Sequence, residues 1–298
     1  MFAGHVDEIG LIIAHIDDEG FLYFDGIGGW DSQVLVGQRV RLVGREGEVA
    51  GVIGKKPIHL MKQDERDKVS KITDLWIDVG AGGKDGVSRL GLRVGDPAVL
   101  DARMMTLGDD RIVSRAIDNR IGAFVVLEAL RLLAERSPRP PARVAAVATT
   151  QEEIGINGGG ARTSAHRIEP DVALVVDVTF ATDSPQMEKK QVGDHKLGGG
   201  PVLGRGSAIH PLVFERLVRA AEEAEIPYTI QANARATHTD ADAIHLSRNG
   251  VATGVVSVPN RYMHSPNEMV SLRDLEATAK LLAAFVSGLD SGADFIPR

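Results

Sequence analysis

Seven side chains in this sequence are of types that move protons or hold divalent cations, and each falls beside a break in an apolar run. They are His5, Asp7, Asp118, Glu152, Glu153, Asp177 and His264. Imidazole nitrogens and carboxylate oxygens suit hard or borderline divalent ions, so two histidines and three carboxylates form a ligand set for two of them. A sixth group is then spare to act as a base. Adjacent side chains such as Glu152 and Glu153 diverge, so one can bind metal while its neighbour faces a water; spacing alone leaves open which does which. His5 and Asp7 stand two apart on an expected strand and point to the same side, which suits a carboxylate holding the imidazole of a ligand. Each residue also has a plainer reading. Asp118 or Asn119 would serve as a helix N-cap, Glu152 and Glu153 as a solvated helix entry, Asp177 as a turn residue, and His264 as a loop histidine. Together at strand and helix ends they read as a dinuclear hydrolase.

These residues need a scaffold, and two textures alternate along the chain. From about Leu11 to Leu107 short strands are expected at Leu11–Ile16, Gly20–Phe24, Gln33–Leu42, Glu48–Ile53, Leu75–Val79 and Ala98–Asp101. Turn clusters separate them, the pattern of a small β-barrel or sandwich. After Gly108 helices alternate with apolar runs. A long amphipathic helix is expected over Asn119–Glu135, with others at Pro211–Ala224, Asp240–Asn249 and Leu272 to about Leu289. Ser271 and Asp274 stand as a capping box for the last of these. Continuous apolar strands at Val144–Thr149, Val172–Val176 and Val251–Val258 imply a largely parallel sheet covered by helices. Ligands of such sheets bind at the carboxyl ends of strands, where these residues fall except Asp118, which stands at the start of the long helix.

Composition narrows the alternatives. With 298 residues, 43% hydrophobic and 25% charged, the chain is an ordinary globular protein of one large or two modest domains. It has no cysteine, which removes disulfides, thiolate zinc sites and thiol catalysis. The net charge of -7 argues against a nucleic-acid partner. No apolar run approaches the roughly 20 residues of a membrane helix, and the opening residues lack a signal-peptide pattern; a cytoplasmic location is expected.

The ordered motifs Gly4-His5-Val6-Asp7-Glu8-Ile9-Gly10, Pro57-Ile58-His59-Leu60, Asp118-Asn119-Arg120, Gln151-Glu152-Glu153-Ile154-Gly155 and Arg261-Tyr262-Met263-His264-Ser265-Pro266 carry a resemblance. Through essentially its whole length the chain resembles the tetrahedral aminopeptidases, dinuclear metallopeptidases also known as glutamyl or deblocking aminopeptidases. The resemblance implies an α/β fold of zinc-peptidase type, formed by residues 1–10 and 108–298, with an inserted β-barrel over 11–107 that mediates assembly into a tetrahedral dodecamer. It implies Asp118 as the carboxylate bridging two metal ions, zinc or cobalt, with His5 and Asp177 completing one site and Glu153 and His264 the other. Glu152 would be the general base as a metal-bridged hydroxide attacks short peptides at their N-terminal residue, and Asp7 the partner of His5. Family members usually carry a helix and two strands ahead of the motif that begins here at Gly4. Without them, the edge of the His5 strand is expected to be exposed. Rival readings are a deacylase or carboxypeptidase with the same metals and an assembly subunit without activity. A glycosidase would leave both histidines unexplained.

Overall fold

The computed structural model of the chain describes residues 1–155 and 158–296. Its backbone divides into two compact units, one of Met1–Asp7, Met104–Met263 and Glu268–Arg298, the other of Glu8–Arg103 and His264–Asn267. The chain opens in the first unit with β1 (Phe2–His5), buried throughout.

The second unit follows. Strands β2 (Gly10–Ile16), β3 (Leu22–Ile27), β4 (Arg39–Gly44), β5 (Gly47–Lys55), β6 (Leu75–Asp78) and β7 (Pro97–Leu100) close an antiparallel barrel in the order β2-β3-β6-β5-β4-β7. Alternation drives the closure. Val40 and Leu42 of β4 point in, as do Leu11 and Ile13 of β2 and Leu75 and Ile77 of β6, and together they fill the interior. Short helices α1 (Ser32–Leu35), α2 (Gln63–Arg66) and α3 (Lys84–Arg89) link the strands. The expected strand over Gln33–Leu42 is therefore partly wrong. The Asp31 carboxylate accepts the Gln33 N–H at 2.9 Å and starts a helical turn that drops Leu35 into the barrel core, and the strand begins only at Arg39. The strand expected from Gly20 begins at Leu22, because the Asp17 carboxylate takes the Phe21 N–H at 2.8 Å and holds a turn.

The first unit resumes with β8 (Met105–Leu107), β9 (Arg111–Ser114), α4 (Ile117–Ala134), β10 (Ala146–Thr149), α5 (Gly159–Ile168), β11 (Val172–Phe180), α6 (Lys189–Val192), β12 (Val202–Gly206), α7 (Pro211–Glu223), β13 (Thr229–Asn233), α8 (Ala241–Ile244), β14 (Ala252–Asn260), β15 (Glu268–Ser271) and α9 (Leu272–Ser287). Its main sheet has the order β10-β1-β11-β14-β12-β13, parallel except where β12 meets β14. Leu174, Val176, Leu203, Val213, Leu217, Val256 and Leu282 belong to one core between this sheet and its helices. The α/β class with a largely parallel sheet and a β-barrel is what the sequence pattern implied.

Several local expectations change. β1 pairs on both sides, with Ala146–Thr149 and with Leu174–Val175, so the outer strands are β10 and β13 and the His5 strand has no open edge. The helix expected over Asp240–Asn249 is the short α8, after which the Val251 N–H bonds back to the His245 carbonyl at 3.2 Å and starts the approach to β14. α9 begins where expected, but without a capping box. The Ser271 hydroxyl donates to Asp110 at 2.7 Å, and the Asp274 carboxylate accepts the Gly198 and Gly200 N–H groups at 2.8 Å each.

One close approach fixes β1 against α4. A methyl group at Gly4 would lie 2.5 Å from the Gly122 carbonyl carbon and 2.7 Å from the Ala123 nitrogen, both backbone atoms that cannot step aside. Gly4→Ala should push β1 off α4 and lower stability by about 1–3 kcal/mol, seen as a lower urea midpoint at unchanged slope. A midpoint equal to that of the parent chain would show that the two backbones can part freely.

Candidate active site

The site grows from four chain segments at one end of the main sheet. β1 delivers His5 at its last residue, and the Val6 N–H goes on to bond Thr149 at 3.0 Å. β10 ends at Thr149, after which the chain turns through Gln151, at φ 69, into Glu152 and Glu153. β11 carries Asp177. The sequence pattern ended this strand at Val176, but the ladder with β14 continues to Phe180, so Asp177 stands within a strand rather than in a turn. Two polar residues interrupt the apolar run without breaking it, since Thr179 hydrogen-bonds Gln231 at 2.8 Å.

The fourth segment is the entry to α4. Asp118 and Asn119, joined by a cis peptide bond, have non-helical dihedral angles although hydrogen bonding includes them in the helix. The two plain readings separate here. Asn119 behaves as a cap, its carbonyl accepting the Gly122 N–H at 3.0 Å while its amide donates to the Val176 carbonyl at 2.8 Å. The Asp118 side chain faces His5 instead, and its N–H donates to the buried Glu268 carboxylate at 2.8 Å. Glu268 escaped sequence reasoning. Its only signal was an acidic residue opening the apolar Met269-Val270 pair.

At the centre His5 is 1% exposed. Its Nε2 lies 3.2 Å from Asp118, 3.7 Å from Glu152 and 3.8 Å from Asp177. Its Nδ1 lies 3.1 Å from the Asp7 carbonyl and 3.5 Å from the Asp7 carboxylate. Asp7 is beyond the end of β1, so the pairing comes from the chain bending after the strand rather than from strand alternation. The other Asp7 oxygen accepts the Glu153 N–H at 3.2 Å, tying the His5 segment to the glutamate loop. Ligand atoms of His5, Asp118 and Glu153 lie within 4.8 Å of one another, and so do those of His5, Glu152 and Asp177. Six of the seven expected residues thus converge. His264 belongs to the second unit, where its imidazole lies against Gly29.

The electrostatics are those of too many carboxylates in a dry space. Burial pushes Glu152 up to about 8, and Asp240, Glu153 and Asp118 add to the rise against the opposing pull of His5. Burial raises Asp177 well above the carboxylate range, again against His5. Burial alone would lower the proton affinity of His5, but hydrogen bonds to Asp118 and Asp7 and the charge of Asp177 carry it far above the ordinary value. Burial works against Asp7 too, yet the His5 contact and the Glu153 and Glu152 N–H groups hold it below its usual range. Imidazole and carboxylate oxygens at these distances fit hard or borderline divalent cations, whose charge would relieve the repulsion.

Comparison with known proteins places the chain among peptide hydrolases. The M42 glutamyl aminopeptidase model matches residues 1–281, and the chain belongs to that family. It is 36% identical over 299 residues to the lysyl aminopeptidase of Pyrococcus furiosus, covering 100% of this chain and 83% of that one. Among solved structures, the TET aminopeptidase of a marine-sediment Thaumarchaeota archaeon superposes with a TM-score of 0.92 at 37% identity, over 97% of this chain and 81% of that one. The Pyrococcus horikoshii TET1 peptidase, which can assemble into a tetrahedron or a large octahedral shell, gives 0.83 at 33% identity, over 97% and 83%. Among the described residues no helix is long and apolar enough to cross a membrane.

The raised affinity of Glu152 sets the sign of a pH effect. Between about pH 4.5, where an unfolded glutamate ionises, and about 8, the native metal-free protein retains a proton that the unfolded chain has released. The contribution of Glu152 to stability therefore falls as pH rises through that window. Urea midpoints in chelator should show Glu152→Gln gaining on the parent chain from pH 5 to pH 8, and zinc or cobalt should stabilise the parent more at pH 8 than at pH 5. A gap between the two proteins that stays constant with pH would refute the assignment.

Proposed function

We propose that this chain is a dinuclear metal-dependent aminopeptidase that removes N-terminal residues from short peptides. The observation that carries the reading is the ring of Asp118, Glu152 and Asp177 within 3.8 Å of His5 Nε2, in a chain of an aminopeptidase family. His5 and Asp177 would hold one ion, Asp118 would bridge, and Glu153 belongs to the second set, to which the family resemblance adds His264. Zinc or cobalt bound there would supply Lewis acidity, activating water and polarising the scissile carbonyl.

The protein's own residues do the rest. Asp7 engages His5 through Nδ1, which leaves Nε2 turned toward the carboxylates. Glu152 is the general base. Its carboxylate, beside His5 and free of the proton once cations offset the surrounding negative charge, would take a proton from the attacking water and return it to the departing amine. Glu152 also lies as close to His5 as Asp177 does, so its role rests on chemistry and resemblance rather than on distance. The barrel-bearing unit is the assembly module in this reading, and the protein works in the cytoplasm as a homo-oligomer; assembly is what the TET1 peptidase shows.

Two measurements test the reading. With zinc or cobalt added, amino acids should be released from unblocked short peptides and not from their N-acetylated forms; equal amino-acid release from both would indicate a carboxypeptidase, and loss of acetate from the blocked forms alone a deacylase. Glu152→Gln should keep both metal equivalents and lose at least about a hundredfold in turnover. Turnover within a few-fold of the parent would remove Glu152 from the role of base.

A further inference from the structure

A buried carboxylate outside both sets of clustered ligand atoms stands next to this site. Asp240 is 3% exposed, and it accepts a hydrogen bond from the hydroxyl of Thr149, itself 1% exposed. Asp240 precedes α8 but does not cap it. Capping falls to its neighbours, since Thr239 accepts the Ala241 N–H at 3.1 Å, and Asp242 accepts the N–H groups of Thr237 and His238 at 2.9 Å each. The segment from Thr237 to Asp242 is thus held by its own side chains, and the Asp240 carboxylate is left to reach Thr149.

Thr149 is where that contact acts on the site. It is the last residue of β10, in register with His5, and its carbonyl accepts the Val6 N–H at 3.0 Å. The residues after it are Thr150, Gln151 and then Glu152 and Glu153. Three anchors hold this loop. The first is the Thr149–Asp240 bond. The second is the Thr150 carbonyl, which accepts the Gly160 N–H at 2.8 Å at a place where a methyl group on Gly160 would come within 2.8 Å of the Thr150 nitrogen. The third is the Glu153 N–H on Asp7. Removing the first frees the strand end from which both glutamates depart, and a displacement near 1 Å at a catalytic group costs on the order of a hundredfold in rate.

We propose that Asp240, acting through the Thr149 hydroxyl, is a positioning residue that sets the Glu152–Glu153 loop against His5. The proposal rests on the aminopeptidase reading for its kinetic consequence, and its structural consequence is measured separately. Thr149→Val keeps the shape and removes the hydroxyl, Thr149→Ser keeps the hydroxyl, and Asp240→Ala removes the acceptor. In metal-free protein, hydrogen exchange at the amides of residues 150–155 should quicken about tenfold in the valine and alanine variants and not in the serine variant, with β1 and β11 amides unchanged. At saturating zinc or cobalt, the first two should lose at least about tenfold in kcat, with KM within about threefold. The double variant should be no worse than the worse single one, because both remove the same bond.

Parent-like exchange and turnover in Thr149→Val, losses that multiply in the double variant, or quickened exchange spread over β1 and β11 would each overturn the proposal. If the parent chain hydrolyses no peptide, the aminopeptidase reading fails, and the exchange data alone decide the role of Asp240.

Discussion

The constraint on which the first unit depends is mutual repulsion among carboxylates that the fold has taken out of water. Asp7, Asp118, Glu152, Glu153, Asp177 and Asp240 surround one imidazole, and three of them, Asp118, Asp177 and Asp240, are almost wholly buried. Left alone, such groups neutralise or separate. Burial raises Glu152, Asp177 and Asp240 together, so the polypeptide prefers them protonated or compensated by cations. The backbone around the site therefore has to hold side chains in positions that they would not choose.

It does so with polar contacts directed at main-chain atoms near the acidic residues. Glu268 takes the N–H of Asp118, Asp7 takes that of Glu153, and the amide of Asn119 donates to the carbonyl just before Asp177. Each bond fixes the peptide from which an acidic side chain departs. The apolar frame is equally local in its logic. β1 is clasped by β10 and β11 and lies against α4 with no room for a methyl group at Gly4, so His5 projects from a rigid base. Rigid first residues with separately anchored supports are what a metal or catalytic constellation requires.

Much of this was legible in the sequence, and the reasons differ by residue. Apolar continuity marked the parallel strands, and alternation marked the barrel, because burial on both faces or on one leaves those two signatures. Seven site residues could be named from type and position, and the structure brings six together. The limits of elements were less legible where a polar side chain had a private partner. Asp177 and Thr179 looked like the end of β11 yet lie within it, since one faces the site and the other finds Gln231. Ser271 and Asp274 looked like a capping box but are engaged by Asp110 and by the Gly198 and Gly200 amides. Asn119 and Asp118 were indistinguishable as caps; only the distant Val176 carbonyl and His5 separate them. Contacts between residues far apart in the chain leave no local pattern to read.

The pairing of β1 has a consequence for how the chain reaches this state. Its partners are Ala146–Thr149 on one side and Leu174–Val175 on the other, with the whole barrel encoded in between. Loop closure over such separations is slow and must precede any reward from the contacts it makes. During translation the segment bearing His5 has to wait for β11 to be made before its second edge can be covered. The barrel, whose strands are complete by Leu100, has no such wait. His5 is thus written before the barrel and placed only after β11 has been made, so a completed site records that the surrounding sheet has closed around it.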